Sequence, residues 1–207
     1  MFVIIFSGAP ASGKDTQGEL IFKWLKRKYP SLKIAKIISS EELLKFFKKG
    51  PKRIKFFNKV YLKEKEKSKF YSGKLVSFGF ISGIICEKIK KYAKKKYSLV
   101  IIGSPRSRFE AKKMLSVLRD FYFDNFILIY LKVKTRTIYS RALKRKRKEG
   151  LDVKEKIKVR IKEFKKNVIP AILIFEKEKK LWQVDGEPSI EKIHREIREN
   201  IGSYIKI

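Results

Sequence analysis

The run Phe2-Val-Ile-Ile-Phe-Ser-Gly8-Ala-Pro-Ala-Ser-Gly13-Lys14-Asp-Thr16-Gln17 constrains this chain more than any other segment. β-Branched and aromatic residues give way to a glycine-punctuated loop with a lysine, and then to a helical pattern. A buried strand that must reverse around an anion needs glycines for the turn. The helix that follows aims its unpaired N–H groups at the negative charge. Lys14 adds a point charge suited to the β and γ oxygens of a nucleotide. The general phosphate-loop pattern places Ser or Thr directly after the lysine, as the hydroxyl on magnesium. Here Asp15 holds that place and the hydroxyl follows at Thr16.

A chain of 207 residues with 43% hydrophobic content can bury a sizeable core and reads as one domain with small inserted lobes. The first apolar run is too short for a membrane span and has no basic region before it, so it is a core strand rather than a signal peptide. No later run reaches membrane length, and the expectation is a cytoplasmic protein without a membrane partner. The single cysteine, Cys86, excludes an internal disulfide and a cysteine-based zinc cluster, so no zinc is expected. The net charge of +32, from 53 Lys plus Arg against 21 Asp plus Glu, favours an anionic ligand. Its lysines are spread along most helices, which suits a solvated surface as well as a nucleic-acid face, and the latter is possible but not favoured.

Short apolar strands alternate with amphipathic helices. The strand candidates are Phe2 to Ser7, Lys33 to Ile38, Ser98 to Gly103, Asn125 to Val133 and Leu181 to Val184. Ile81, Ile84, Ile85, Ile89, Tyr92 and Ala93 form one helical stripe, and Ile190, Ile193, Ile197 and Ile201 another, both read as core packing. Five strands separated by helices argue for a parallel sheet covered on both faces, with ligands at the carboxyl ends of its strands. Ser39 to Ser72 shows helical patterns and no strand, and reads as an inserted helical lobe. Lys144 to Asp152 carries five consecutive positive charges, either a solvated helix end or a mobile basic flap. Pro170 should kink or divide a long helical pattern.

Further segments follow the loop in a definite order: Ile38-Ser39-Ser40-Glu41-Glu42-Leu43-Leu44-Lys45, Gly73-Lys74-Leu75-Val76 and Ile102-Gly103-Ser104-Pro105-Arg106-Ser107-Arg108-Phe109-Glu110. Arg141 and Arg145, Lys158-Val-Arg160-Ile and Val184-Asp185-Gly186 come next. In these segments, and over essentially its whole length, the chain resembles the adenylate kinase branch of the nucleoside monophosphate kinases, whose loop reads G-x-P-G-x-G-K-G-T-Q with the hydroxyl one place late. The resemblance implies a five-stranded parallel sheet with helices on both faces. Its core would comprise residues 1–38, 77–143 and 153–207, with a helical monophosphate-binding lobe at about 39–76 and a short lid at about 144–152. It further implies transfer of the γ-phosphoryl group of ATP to AMP, giving two ADP, with magnesium as the cofactor and a monomeric protein. GMP, CMP or UMP is the alternative acceptor. A catalytically weakened nucleotide- or RNA-binding protein is the reading from another class.

Residue by residue, the resemblance implies ATP contacts from Gly8, Ala9, Pro10, Ala11, Ser12, Gly13, Lys14, Asp15, Thr16, Arg141, Arg145 and Gly186, with Thr16 reaching magnesium partly through water. Contacts to the monophosphate would come from Ser40, Lys45, Lys74, Val76, Gly103, Arg106, Glu110 and Arg160. Lys14, Arg106, Arg141, Arg145 and Arg160 are the catalytic cations. Phosphoryl transfer spreads charge over its transition state, so cations converging from several elements make chemical sense.

The pattern also departs from the family. Ile102 stands where the family has an acidic residue that organises magnesium, and Asp15, Glu110 and Asp152 are the candidates to compensate. Asp15 could equally cap its helix. Lys45 replaces an arginine and keeps the charge without the two-pronged geometry. Glu110 replaces a base-reading glutamine, and an ionised carboxylate can only accept hydrogen bonds unless burial keeps it protonated. Ala11 replaces a loop glycine, a mild change if its dihedrals are ordinary.

Overall fold

The computed structural model describes residues 1–145 and 153–207. β1 (Val3–Gly8), β2 (Ile34–Ile38), β5 (Ser98–Ile102), β6 (Phe126–Lys132) and β7 (Leu181–Asp185) form one parallel sheet in the order β2-β5-β1-β6-β7. These are the five strands expected from the sequence, with ends that differ by at most one residue. They are legible because β1 and β5 are buried at every position and so read as unbroken apolar runs.

Successive side chains point to opposite faces. Val3, Ile5, Leu99, Ile101 and Leu128 therefore enter one core with α4 (Phe78–Lys94), α5 (Arg108–Tyr122) and α8 (Ile169–Lys177). Ile4, Phe6, Val100, Ile102, Ile127 and Ile129 enter the other with α1 (Lys14–Lys28) and α9 (Ile190–Asn200). The first predicted stripe lies on α4, where Ile81, Ile84, Ile85, Ile89 and Ala93 are buried and Tyr92 is partly so. The second needs a correction: Ile193, Ile197 and Ile201 are core residues, but Ile190 is 50% exposed because it opens α9 at the sheet's carboxyl edge.

A second correction concerns residues 39–72. Between α2 (Ser39–Lys49) and α3 (Lys63–Tyr71) lies an antiparallel hairpin, β3 (Arg53–Phe56) and β4 (Lys59–Leu62), so this lobe is not purely helical. Phe57 and Asn58 form the two-residue turn, both with positive φ (49° and 61°), the conformation that matches hairpin twist. The hairpin docks on α4 through two glycines. A Cβ on Gly83 would lie 2.2 Å from the Phe56 ring, and one on Gly79 would lie 2.1 Å from the Tyr61 hydroxyl. Glu66, buried on α3, fastens the lobe to the start of α4 by accepting from the Ser77 N–H at 2.6 Å and from its hydroxyl at 2.7 Å.

Pro170 divides its helical pattern as expected. α7 (Lys154–Glu163) passes into a π-helical turn at Phe164–Val168 before α8 begins, with the proline in its first turn. Proline has no N–H to donate to the preceding turn, and the wider turn accommodates that loss. Among the described residues no helix is long and apolar enough to cross a membrane.

Candidate active site

β1 ends at Gly8 and α1 begins at Lys14, so the loop between them lies at the carboxyl edge of the sheet, flanked by the ends of β5 and β6. The Ser12 N–H donates to the Ala9 carbonyl at 3.2 Å, and Gly13 turns the chain into α1 with φ 93°, a conformation open to glycine. Gly8 lets the loop close on itself, since a Cβ there would lie 2.6 Å from Ser12 Oγ and 3.0 Å from the Leu131 carbonyl. Ser12 is fully buried, and its hydroxyl has no hydrogen-bond partner among the described residues. Lys14 Nζ donates to the Ala9 carbonyl at 3.1 Å and so lies across the loop. Ala11 has φ 57°, so its dihedrals are not ordinary: alanine occupies a left-handed position here, at the cost of steric strain.

The loop separates two clefts. The first, about 710 Å³ with its open mouth, is lined by Ser7, Gly8, Pro10 and Lys14 from the loop, Ser40 from α2, and Phe70 and Gly73–Leu75 from the lobe. Gly103, Pro105 and Arg106 from the turn after β5, and Arg160, Glu163, Phe164 and Val168, complete it. The second, about 880 Å³, is lined by Ala11, Ser12, Gly13, Asp15, Thr16 and Gln17 with Arg141 and Arg145 of α6 (Thr135–Arg145), and by Pro188–Ile190 and Ile193. The two clefts thus gather most of the residues singled out in the sequence, sorted by side of the loop.

Arg106 is set by its own turn. Its Nε donates to the Gly103 carbonyl at 2.9 Å, and its backbone N–H donates to Glu110 Oε2 at 2.8 Å. Glu110 is fully buried and is not among the residues lining either cleft. It belongs to the N-terminus of α5, where Ser107 Oγ accepts from the Glu110 N–H at 3.1 Å while the carboxylate reaches back to Arg106. Ser107-Arg-Phe-Glu110 carries the S-x-x-E pattern of a capping box, a sequence signal for this placement. Burial pushes the Glu110 carboxyl up, against the opposing effects of Ser104, the Arg106 N–H and the Arg106 charge.

Lys45 also lies outside the clefts' linings and is paired with Glu42 at 3.0 Å and Glu41 at 3.8 Å. Burial works against the Glu42 charge, but Lys88 at 2.9 Å and Lys45 hold its carboxyl below the usual range. Lys74 and Ser40 do line the first cleft, whereas Val76 lines a neighbouring groove with Phe57, Tyr61, Phe78 and Phe109.

On the other side, Arg141 donates to the carbonyls of Gly186 at 2.8 Å and Glu187 at 3.2 Å, tying α6 to the turn after β7. Glu187 returns the tie by accepting from the Lys134 N–H at 2.7 Å and the Thr137 hydroxyl at 2.9 Å. Arg145 faces Asp15 at 3.9 Å. Gln17, buried, donates to the Ile190 carbonyl at 2.9 Å and fixes α9 against α1. Ile190 and Pro188 in this cleft, and Phe70, Leu75, Phe164 and Val168 in the other, were not singled out as site residues. They are apolar, and nothing in a single sequence separates an apolar cleft wall from core. The basic run, the lid and Asp152 lie outside the described residues, apart from Lys144 and Arg145.

Ile102 at the end of β5 is 1% exposed and packs into the notch left by Gly18, where a Cβ would lie 2.4 Å from its Cδ1. The position is therefore apolar by construction. Among the described residues no group of three or more His, Cys, Asp or Glu could hold a metal ion. The donor set fits a magnesium ion carried on nucleotide phosphates with one protein hydroxyl, Thr16, exposed in the first turn of α1 and facing the second cleft.

A five-stranded parallel sheet between two helical layers, with a phosphate loop at its carboxyl edge and a cleft on either side, is the architecture of the P-loop nucleoside monophosphate kinases. Comparison with known proteins agrees. The chain is similar to adenylate kinase of Buchnera aphidicola subsp. Cinara cedri, 29% identical over 233 residues and 97% of each chain. It is also similar to adenylate kinases of Leptospira biflexa, 27% identical over 96% of this chain and 98% of the relative, and of Prochlorococcus marinus strain MIT 9301, 27% identical over 96% and 97%. No family model matches the chain. Similarity spread over the whole length, joined to this fold, indicates an enzyme of the nucleoside monophosphate kinase class.

Proposed function

We propose that the enzyme transfers the γ-phosphoryl group of ATP to a nucleoside monophosphate, with AMP as the leading acceptor and two ADP as products. The observation that carries this reading is the pair of clefts on opposite sides of one phosphate loop, one bearing Lys14, Arg106 and Arg160 and the other Arg141 and Arg145. An in-line transfer between two nucleotides needs this division, because attacking and leaving oxygens lie on opposite sides of the moving phosphorus. The donor would occupy the second cleft, with its phosphates on the loop and first-turn N–H groups of α1 and its base near Gly186 and Ile190. The acceptor would occupy the first, its phosphate on Arg106 and its sugar and base towards Ser40 and the lobe at about 39–76. Residues at about 144–152 would form the lid.

An oxygen of the acceptor phosphate attacks the donor γ-phosphorus, and the bond to the β–γ bridging oxygen breaks, leaving that oxygen on ADP. Lys14 would offset charge on the β and γ oxygens, and Arg106 and Arg160 would neutralise the acceptor phosphate so that two anions can meet. Arg141 and Arg145 hold the donor phosphates. Magnesium, when bound on the nucleotide with Thr16 beside it, supplies further neutralisation of those oxygens.

A coupled assay of ADP formation from ATP tests the proposal, with AMP, GMP, CMP, UMP and dTMP each offered with and without magnesium. Turnover greatest with AMP is expected. No turnover with any acceptor, together with retained ATP binding, would favour the nucleotide-binding reading that the apolar Ile102 raises. Lys14→Ala should lower kcat about 100-fold or more, the order found on removing one charge-stabilising donor. A variant as active as the parent refutes the role given to Lys14.

A further inference from the structure

The turn after β5 is held at several points. The Arg106 side chain is anchored on the Gly103 carbonyl, its backbone N–H on Glu110, and the neighbouring Ser104 hydroxyl lies 2.6 Å from Ser39 Oγ, both serines being buried. Ser39 opens α2 and precedes Ser40, which lines the first cleft. Glu110 is fully buried, as the two serines are, and lines neither cleft. One oxygen of this carboxylate is spent on a backbone N–H, and the other, Oε1, is buried with no hydrogen-bond partner among the described residues, in a side chain that lines neither cleft. The same contact fixes the residue whose guanidinium borders the cleft.

We infer that Glu110 is a positioning residue that holds the Gly103–Arg106 turn, setting where Arg106 meets the acceptor phosphate, and that it does not read the acceptor base. This rests on the part of the proposed reading in which the acceptor binds in the first cleft with its phosphate on Arg106. The geometry gives the carboxylate the task of accepting the Arg106 N–H, which an amide carbonyl performs as well and a methyl group cannot. Base reading makes the opposite demand, because exchanging a carboxylate for an amide adds a donor and changes which base edges are matched.

Glu110→Gln and Glu110→Ala are compared with the parent in two measurements: ADP formation with AMP, GMP, CMP and UMP, and AMP affinity by equilibrium dialysis without ATP. Ala should raise the acceptor KM and weaken AMP binding by about tenfold or more, as expected for loss of a charged hydrogen bond, with the ATP KM moved by less than about threefold. Gln should recover most of that loss, to within about threefold of the parent, and the order of preference among the four acceptors should be the same in all three proteins. A changed acceptor order in the Gln variant would show that Glu110 reads the base. Equal losses in Gln and Ala, or a loss shared equally by the ATP KM, would also overturn the inference while leaving the kinase reading intact. A parent that binds AMP without turnover, with the binding lost in Ala and recovered in Gln, would sink the kinase reading and leave the inference standing. A parent with neither AMP binding nor turnover would sink both.

Discussion

Gly18→Ala should change sign with the residue at position 102. In the parent, the new Cβ would lie 2.4 Å from Ile102 Cδ1, 2.6 Å from Cγ1 and 3.4 Å from Phe6 Cδ2, against a normal carbon separation of roughly 3.5 to 4.0 Å. Both Ile102 and Phe6 are buried in the sheet, so the excess volume has little room to relax. Overpacking of this kind costs about 1–3 kcal/mol, offset by about 1 kcal/mol from alanine's better helix propensity within α1. Gly18→Ala should therefore destabilise the parent by about 0–2 kcal/mol. Ile102→Ala alone should cost about 2–5 kcal/mol through the space it empties. With that space available, Gly18→Ala should instead stabilise by about 1 kcal/mol. Urea unfolding of the four proteins closes the cycle, and an interaction energy of about 1–3 kcal/mol is expected. Additivity within about 0.5 kcal/mol would refute the account in which a glycine makes room for isoleucine at the strand end where the family carries an acidic residue.

Ala11→Gly should raise stability by about 0.5 kcal/mol, because relief of left-handed alanine, at about 1–2 kcal/mol, outweighs the added freedom of the unfolded chain; a lower urea midpoint would contradict this. Gly83→Ala would press a Cβ within 2.2 to 2.5 Å of the Phe56 ring, costing about 1–3 kcal/mol and loosening the hairpin. Limited trypsin digestion should then cut faster at Lys52, Arg53, Lys55 or Lys59, and unchanged cutting would count against the docking role. Burial raises the Glu110 carboxyl above its ordinary value of 4.5, with Arg106 opposing and Cys86 nearby. For a carboxyl so raised the folded state binds the extra proton, so stability is full below pH 4.5 and declines as pH rises through the folded value. The stability of Glu110→Gln relative to the parent should therefore climb with pH above 4.5, and a falling difference would reverse the assignment.

The strands were legible because a buried strand is a local fact: an apolar run between turn residues. The phosphate loop was legible for a similar reason, since strand, glycines, lysine and helix are contiguous. The hairpin escaped because its turn is Phe57-Asn58, which lacks the glycine that ordinarily marks such turns, and because β4 carries apolar Val60 and Leu62 on its exposed face, which breaks its alternation. Ile190 was read as core since its spacing matches Ile193 and Ile197, yet the stripe runs past the edge of the sheet there.

By itself, the sequence determined the five strands of the parallel sheet and their alternation with helices, the anion-binding loop, and the cations that a phosphoryl transfer would call on. These follow from side-chain periodicity and backbone freedom, which act over a few residues. Only the tertiary structure decided which of those residues share a cleft. Arg106 comes to one side of the loop and Arg141 and Arg145 to the other because β5 and β6 flank β1 in the sheet, while α7, in the same β6–β7 connection as α6, brings Arg160 to the Arg106 side. Glu110 lies outside both clefts for a related reason. A carboxylate three residues into a helix can reach a base or cap a backbone N–H, and the turn that brings the Arg106 N–H to 2.8 Å, with the packing that buries the carboxylate, selects the cap.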